Sequence, residues 1–254
     1  MRVFISMVSH GHGKLIDKLA VASKLSESNS VEVIIRDNVG EKCLEDFCRS
    51  SNIVYARNYT ALGFGENNNL NYKYFRNNFR VGGNDLFLVL NPDVIITIDD
   101  IWSVGGRMAD KGARLGTCNL FLDDSFSTYD NSIRRFPRFF DFLKSYLCKS
   151  NPTIIEKSAI TEPAFVDWAA GSFLLFSFEL YNALAGFDTG YFMYCEDIDI
   201  CCRAKSFGEP GVLYVPEAHA IHMAKRDSRR ILSKHFFWHL RSMFRYLIKN
   251  SGRV

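Results

Sequence analysis

The stretch Asp85-Leu86-Phe87-Leu88-Val89-Leu90-Asn91-Pro92-Asp93 decides the fold. Residues 86–90 are apolar at every position, not at alternate ones. A strand of that kind is buried on both faces, as the strands of parallel sheets are. Parallel neighbours need crossover connections, and the flanking sequence supplies them. Before it, strand patterns at Arg2–Val8, Val31–Arg36 and Ile53–Ala56 alternate with helical spacing at His12–Leu25, Glu41–Arg49 and Glu66–Phe79. After it, Asp99–Lys111 has helical spacing and Arg114–Cys118 reads as another strand. The expectation is an α/β chain with a mostly parallel central sheet flanked by helices. Ligands of such sheets bind beyond the carboxyl ends of the strands. Ser9-His10, Asp37-Asn38 and Asn91-Pro92-Asp93 each follow a strand end, so one crevice is expected to collect them.

Beyond residue 118 the alternation weakens, and Arg134-Arg135-Phe136-Pro137 is the most distinctive piece before residue 164. Strand patterns return at Phe173–Phe178 and Val212–Val215, on either side of Tyr194-Cys195-Glu196-Asp197-Ile198-Asp199-Ile200-Cys201-Cys202-Arg203. Tyr194, Ile198, Cys201 and Cys202 fall at i, i+4, i+7 and i+8, one helix face. Glu196, Asp197 and Asp199 then occupy the helix start, where the macrodipole favours negative charge. Asp93, after a buried strand and stiffened by Pro92, suits a hard divalent ion, which is held by one or two carboxylates plus substrate phosphates. An acidic turn and an acidic helix start together suggest a metal and a base around one anionic substrate. His219 and His222, in Pro216-Glu217-Ala218-His219-Ala220-Ile221-His222, read from spacing alone as histidines of an apolar stretch. Gly63-Phe64-Gly65-Glu66-Asn67-Asn68-Asn69 enters a helix, where backbone N–H groups can meet phosphate, without the spacing of a dinucleotide or P-loop motif. Asp167-Trp168-Ala169-Ala170-Gly171-Ser172 combines a carboxylate, an aromatic platform and a small residue, a set suited to a sugar or to the core.

At 254 residues, 47% hydrophobic and 23% charged, the chain fits one α/β domain with a tail. It has no apolar run of membrane-spanning length. Its first residues read as a strand and not as a signal peptide. Seven cysteines without CxxC spacing argue against a disulfide framework or a zinc site, and for reduced thiols in the cytoplasm. The net charge of +3 is uneven: residues 225–254 hold nine Lys/Arg and one acidic residue, the remainder 22 and 27. The tail Arg229–Lys249 reads as an amphipathic helix. Lys234, Arg241, Arg245 and Lys249 share a face, interleaved with Phe236, Phe237, Trp238, Phe244 and Tyr246. Such a helix suits an anionic membrane surface; no nucleic-acid partner is expected.

The order Asp37-Asn38, GFGENNN, LNPDV, DWAAGSF, GFDTGYFMYCEDIDICCR, PEAHAIH resembles inverting family-2 glycosyltransferases with the GT-A fold. It is most similar to bacterial O-antigen rhamnosyltransferases acting on GlcNAc-diphospho-undecaprenol, and the resemblance runs from residue 3 to about residue 249. It implies a GT-A domain over 1–224, with a nucleotide half at 1–118 and an acceptor half at 119–224, then a membrane-docking helix at 225–254. Carried over, it places Ser9, Asp37, Asn68, Asn91 and Asp93 at the nucleotide-sugar donor and Asp197 as catalytic base. Asp167, Trp168, Gly171 and Glu196 are placed at the acceptor. Asp93 and His222 would hold a divalent cation, Mg2+ or Mn2+. Asn91 stands where the family has the first carboxylate of its Asp-x-Asp motif. The implied reaction is transfer of L-rhamnose from dTDP-L-rhamnose to a polyprenyl-diphosphate-linked GlcNAc at the inner face of the plasma membrane. Another nucleotide sugar (a UDP-hexose or UDP-galactofuranose), or a non-catalytic sugar-nucleotide module, is the alternative.

Overall fold

The apolar run at 86–90 lies in the middle of a large sheet in the computed structural model, which describes residues 1–147, 151–223 and 234–250. The strands are β1 (Val3–Ser9), β2 (Val31–Asp37), β3 (Val54–Arg57), β4 (Leu86–Leu90), β5 (Val94–Ile95), β6 (Leu115–Phe121), β7 (Ile133–Arg134), β8 (Ala164–Val166), β9 (Trp168–Ala169), β10 (Phe173–Ser177) and β11 (Val212–His222). The helices are α1 (Gly13–Leu19), α2 (Val21–Ser26), α3 (Lys42–Ser50), α4 (Phe64–Asn78), α5 (Ile98–Lys111), α6 (Phe139–Leu147), α7 (Phe178–Ala183), α8 (Glu196–Ser206) and α9 (Lys234–Asn250). Among the described residues the sheet runs β3-β2-β1-β4-β10-β6-β11-β5, with β8 paired to β11; β7 and β9 form a separate ribbon.

The parallel core β3-β2-β1-β4 is the one expected from the strand–helix alternation. Every residue of β4 is buried, and its side chains divide by the pleat. Phe87 and Val89 join Phe4, Phe75, Phe176 and Tyr181 on one face. Leu86, Leu88 and Leu90 join Ile5, Ile35, Val104 and Met108 on the other. Each such side chain contributes about 1.5–3 kcal/mol on burial, so β4 holds both layers together.

Three departures from the sequence expectations position the site. The helical stretch 12–25 breaks into α1 and α2 at Ala20, whose φ of 53° is left-handed. β10 runs antiparallel to both neighbours and lies between β4 and β6. β11 continues past Val215 through an irregularity before His219 and ends by pairing with β5.

The expected tail helix is present as α9; residues 225–233 and 251–254, with most of the tail's arginines, lie outside the described residues. Part of its basic face turns inward. Arg245 and Lys249 reach Asp188 at 2.9 and 2.7 Å, and Lys249 also reaches Asp199 at 2.9 Å. Tyr246 is buried, and the Ser242 hydroxyl donates to the Met193 carbonyl at 2.8 Å. The exposed side carries Phe237, Arg241, Phe244 and Ile248, one stripe at helical spacing. No helix of the described residues is long and apolar enough to cross a membrane.

Candidate active site

At the carboxyl end of β2 the Asp37 carboxylate is fully buried and accepts from the backbone N–H of Val39 and Gly40 (both 2.9 Å), from Glu41 N–H and from the Tyr55 hydroxyl. Burial alone would raise its pKa, but these donors outweigh that and hold it below the usual carboxylate value. After β1, the Ser9 hydroxyl donates to Glu41 Oε2 at 3.2 Å and accepts from His12 N–H at 3.1 Å. Ser9 and Asp37 thus shape two adjacent strand-end loops, with Glu41 also accepting from Gly13 N–H at 3.0 Å. Asn68 is fully buried and joins α4 to β1: its amide donates to Phe64 O and its carbonyl accepts from Ser6 Oγ. Its neighbours serve the frame as well. Asn67 bonds the carbonyls of Leu62 and Gly63, and Asn69 bonds Phe187 and Tyr181.

The backbone N–H of Asn91 donates to Ser172 O at 2.9 Å, which ties the end of β4 to the turn before β10. Two residues on, Asp93 meets His222. The register of β11 on β5 sets His222 opposite Val94, and Met223 N–H donates to Asp93 O at 3.0 Å. His222 Nε2 therefore stands 3.4 Å from Asp93 Oδ1, while its Nδ1 lies 2.7 Å from Asp130 Oδ2. Burial would lower the imidazole pKa; hydrogen bonds to Asp130 and Asp93 and their charges reverse this and hold it at about 9. The same contacts overcome burial at Asp93 and Asp130, keeping both below the usual value. Sequence reasoning missed Asp130. It lies in an aperiodic segment, and its partner is 92 residues away.

This pair fits a hard divalent ion. Two neighbouring ligands of an octahedral ion sit about 3 Å apart, close to the 3.4 Å between Asp93 Oδ1 and His222 Nε2. A carboxylate on the far ring nitrogen is the arrangement that orients a metal-binding histidine. No closed set of three or more His, Cys, Asp or Glu ligands occurs among the described residues, so a bound ion would complete its shell from substrate oxygens and water. His219 goes elsewhere: half-buried, its ring packs against buried Phe121 and exposed Phe126.

The acidic helix start meets Gly171, next to the Ser172 whose carbonyl holds Asn91. Tyr194 and Cys195 both adopt left-handed φ, 71° and 64°, before α8 begins. Non-glycine residues there cost about 1–3 kcal/mol each, a strain that clusters at functional sites. The bend delivers Glu196 and Asp197 as the first helical residues. Asp197 accepts from Gly171 N–H at 3.2 Å and from Ile198 N–H at 2.9 Å. Its pKa is raised, because burial outweighs those donors and the Arg134 charge. Glu196 beside it is raised too, by burial and then by the Asp197 charge, and among the described residues its Oε2 has no hydrogen-bond partner. Asp199 is fully buried in ion pairs with Arg203 (2.7 Å) and Lys249.

Gly171 sits in close quarters: an added Cβ would lie 3.1 Å from the Phe64 ring, which would have to give by a few tenths of an ångström. Trp168 is buried and its indole N–H donates to Arg135 O at 2.9 Å. Asp167 accepts from Phe136 N–H and pairs with Lys205 at 2.8 Å. The Arg134 guanidinium stands 5.5 Å from the Trp168 ring centre, where its charge favours ionised Asp197 and Asp130 alike. Direct contacts join Asp93, His222 and Asp130, and the Arg134 charge acts on both Asp130 and Asp197, so the five form one arc linked by contact and charge. It has a cation-ready end and a buried carboxylate end, as displacement at a diphosphate-activated carbon requires.

No family model matches the chain. It is 40% identical over 247 residues to Rhamnosyltransferase WbbL of Escherichia coli, covering 97% of this chain and 93% of that protein. It is 31% identical over 179 residues to the N-acetylglucosaminyl-diphospho-decaprenol L-rhamnosyltransferase of Mycobacterium tuberculosis, covering 66% of this chain and 57% of that one. Among solved structures it resembles the Mn2+- and GDP-mannose-bound mannosyltransferase PcManGT of Pyrobaculum calidifontis (TM-score 0.59, 14% identity, 89% of this chain and 58% of that one). It also resembles GalNAc-T7 bound to UDP, GalNAc and Mn2+ (TM-score 0.63, 14% identity, 87% and 44%). Both likenesses establish the GT-A fold.

Proposed function

The chain belongs to the rhamnosyltransferases, a family of glycosyltransferases, and from that premise we propose that it transfers L-rhamnose from dTDP-L-rhamnose to an N-acetylglucosamine carried on a polyprenyl diphosphate. The observation that carries the mechanism is the separation of roles along the arc, with Asp93 and His222 at one end and Asp197 at the other. Asp93 and His222 would hold a divalent cation, which when bound neutralises the donor diphosphate and makes its bond to the anomeric carbon easier to break. Asp197 takes the proton of the acceptor hydroxyl as that oxygen bonds the anomeric carbon from the opposite face. The nucleoside diphosphate departs with the electrons of the broken bond. One displacement inverts the configuration, by analogy with one-step glycosidases. Ser9 and Asp37 support the donor through the loops they hold, with Asn68 behind them and Asn91 beside the diphosphate. Glu196, Gly171, Trp168 and Asp167 build the acceptor side around Asp197.

A panel of nucleotide sugars tests the donor. At about 100 times its dissociation constant a ligand adds roughly 2.7 kcal/mol of stability, so dTDP-L-rhamnose should raise the melting temperature most. With a short-chain GlcNAc diphosphate lipid it should yield a disaccharide lipid in the mass spectrum. Product from a UDP-hexose alone would overturn the donor assignment. For the cation, Asp130→Asn should weaken Mn2+ binding about 10–100-fold in calorimetry with dTDP present. Unchanged affinity would detach Asp130 and His222 from the metal. We place the protein at the inner face of the plasma membrane, docked through the exposed stripe of α9.

A further inference from the structure

Arg134 is a charged group that the reaction as described leaves without an assignment. It sits in β7, paired with Trp168 of β9, and its Nε donates to Asn131 O at 2.8 Å. Among the described residues it makes no direct ion pair, although burial of its guanidinium is enough to lower its pKa. A partly desolvated cation without a contacting carboxylate is costly unless a ligand supplies the anion. The planar guanidinium also matches phosphate oxygens two at a time. Arg134 lies over the Trp168 ring, and its charge acts on Asp197 first and on Asp130 second. The chain then leaves the site through Arg135 and Arg138, both exposed, to Phe139 and Phe140 at the start of α6. Those two rings are 51% and 71% exposed. Charge first and apolar surface next is the order of an amphiphile with a diphosphate head and a hydrocarbon tail.

We propose that Arg134 binds the diphosphate of the acceptor, and that Phe139 and Phe140 carry the first isoprene units of its lipid. This rests on the reading of the acceptor as a polyprenyl-diphosphate-linked sugar. The Arg134 charge also acts on Asp197, so its loss moves the acid limb of the rate profile equally for every acceptor. The decisive quantity is therefore a ratio. Full-length protein is assayed with GlcNAc linked through diphosphate to a short isoprenoid, and with GlcNAc on a neutral alkyl chain of equal length. In the wild type kcat/KM should favour the diphosphate acceptor. In Arg134→Gln that preference should fall at least about tenfold, the low end for one charged hydrogen bond, mainly through KM. Arg134→Lys should restore part of it, with an unchanged melting temperature as the check on folding. Phe139→Ser and Phe140→Ser should raise KM only for acceptors bearing the isoprenoid.

An equal loss on both acceptors would make Arg134 a positioning residue of Asp197 and overturn the proposal. So would weaker dTDP binding in Arg134→Gln, which would move the guanidinium to the donor. A wild type that uses the two acceptors equally would instead overturn the acceptor reading itself.

Discussion

Asp199 accepts hydrogen bonds from the cations Arg203 and Lys249, whereas Asp197, two positions earlier, meets backbone N–H groups and the more distant Arg134. Asp199 is enclosed by its two cations, whereas burial raises the Asp197 carboxyl, which suits a proton acceptor. Asp197→Asn should therefore lower turnover about 10²–10⁴-fold while donor affinity, read by calorimetry, stays near wild type. Asp199→Asn should act on melting temperature instead. Retention of most turnover by Asp197→Asn would place the base elsewhere. Glu196 leads to a different expectation. Its folded pKa is raised above the ordinary 4.5, so above that pH the native protein keeps a proton that the unfolded chain has released. Stability consequently falls as pH rises from 4.5 toward the folded value. Glu196→Gln removes that slope, so its melting temperature should gain on the wild type at pH 8 and gain little at pH 5. Parallel curves for the two proteins would show that Glu196 is ionised in the native state.

Helix α4 and the segment before α8 meet at Gly63. A Cβ there would come within 2.6 Å of the Phe192 carbonyl oxygen, and Phe64 N–H donates to that same oxygen at 3.0 Å. Gly63→Ala must push the segment that carries Tyr194, Cys195 and Asp197. We expect a loss of about 1–3 kcal/mol, as for other overpacked sites, together with reduced turnover; an unchanged melting curve would show that the contact yields freely. Most elements at this scale were legible in the sequence because periodicity reports burial directly, as in β4 and α5. Periodicity does not report strand direction, so the antiparallel course of β10 stayed hidden. Nor does it follow a strand across Pro216-Glu217, where the pattern of β11 is interrupted. The meeting of His222 with Asp93 came from resemblance and its geometry from register. Asp130 had no local signal, and Arg134 stood out in the sequence only as part of a distinctive stretch without a task, since both tasks are set by partners distant in the chain.

At the scale of the molecule, α9 has two sides with separate tasks. Arg245 and Lys249 fasten the segment leading to Asp197, while Phe237, Arg241, Phe244 and Ile248 face outward. Removing the helix would thus unfasten the catalytic segment as well as delete a membrane contact. Phe237→Ser with Phe244→Ser and Arg241→Glu is the cleaner experiment. Cosedimentation with anionic vesicles should fall and melting temperature should hold, whereas undiminished cosedimentation would remove α9 from the membrane contact. The place of β10 has a consequence for synthesis. In the sheet β10 separates β4 from β6, yet β6 ends at Phe121 and β10 begins at Phe173. At 5–20 residues per second, a ribosome needs roughly 3–10 s to cover that interval. During it, the apolar strand β4 waits with one edge unpaired and the buried strand β6 with both, because β11 follows later still, and folding of the sheet waits on translation.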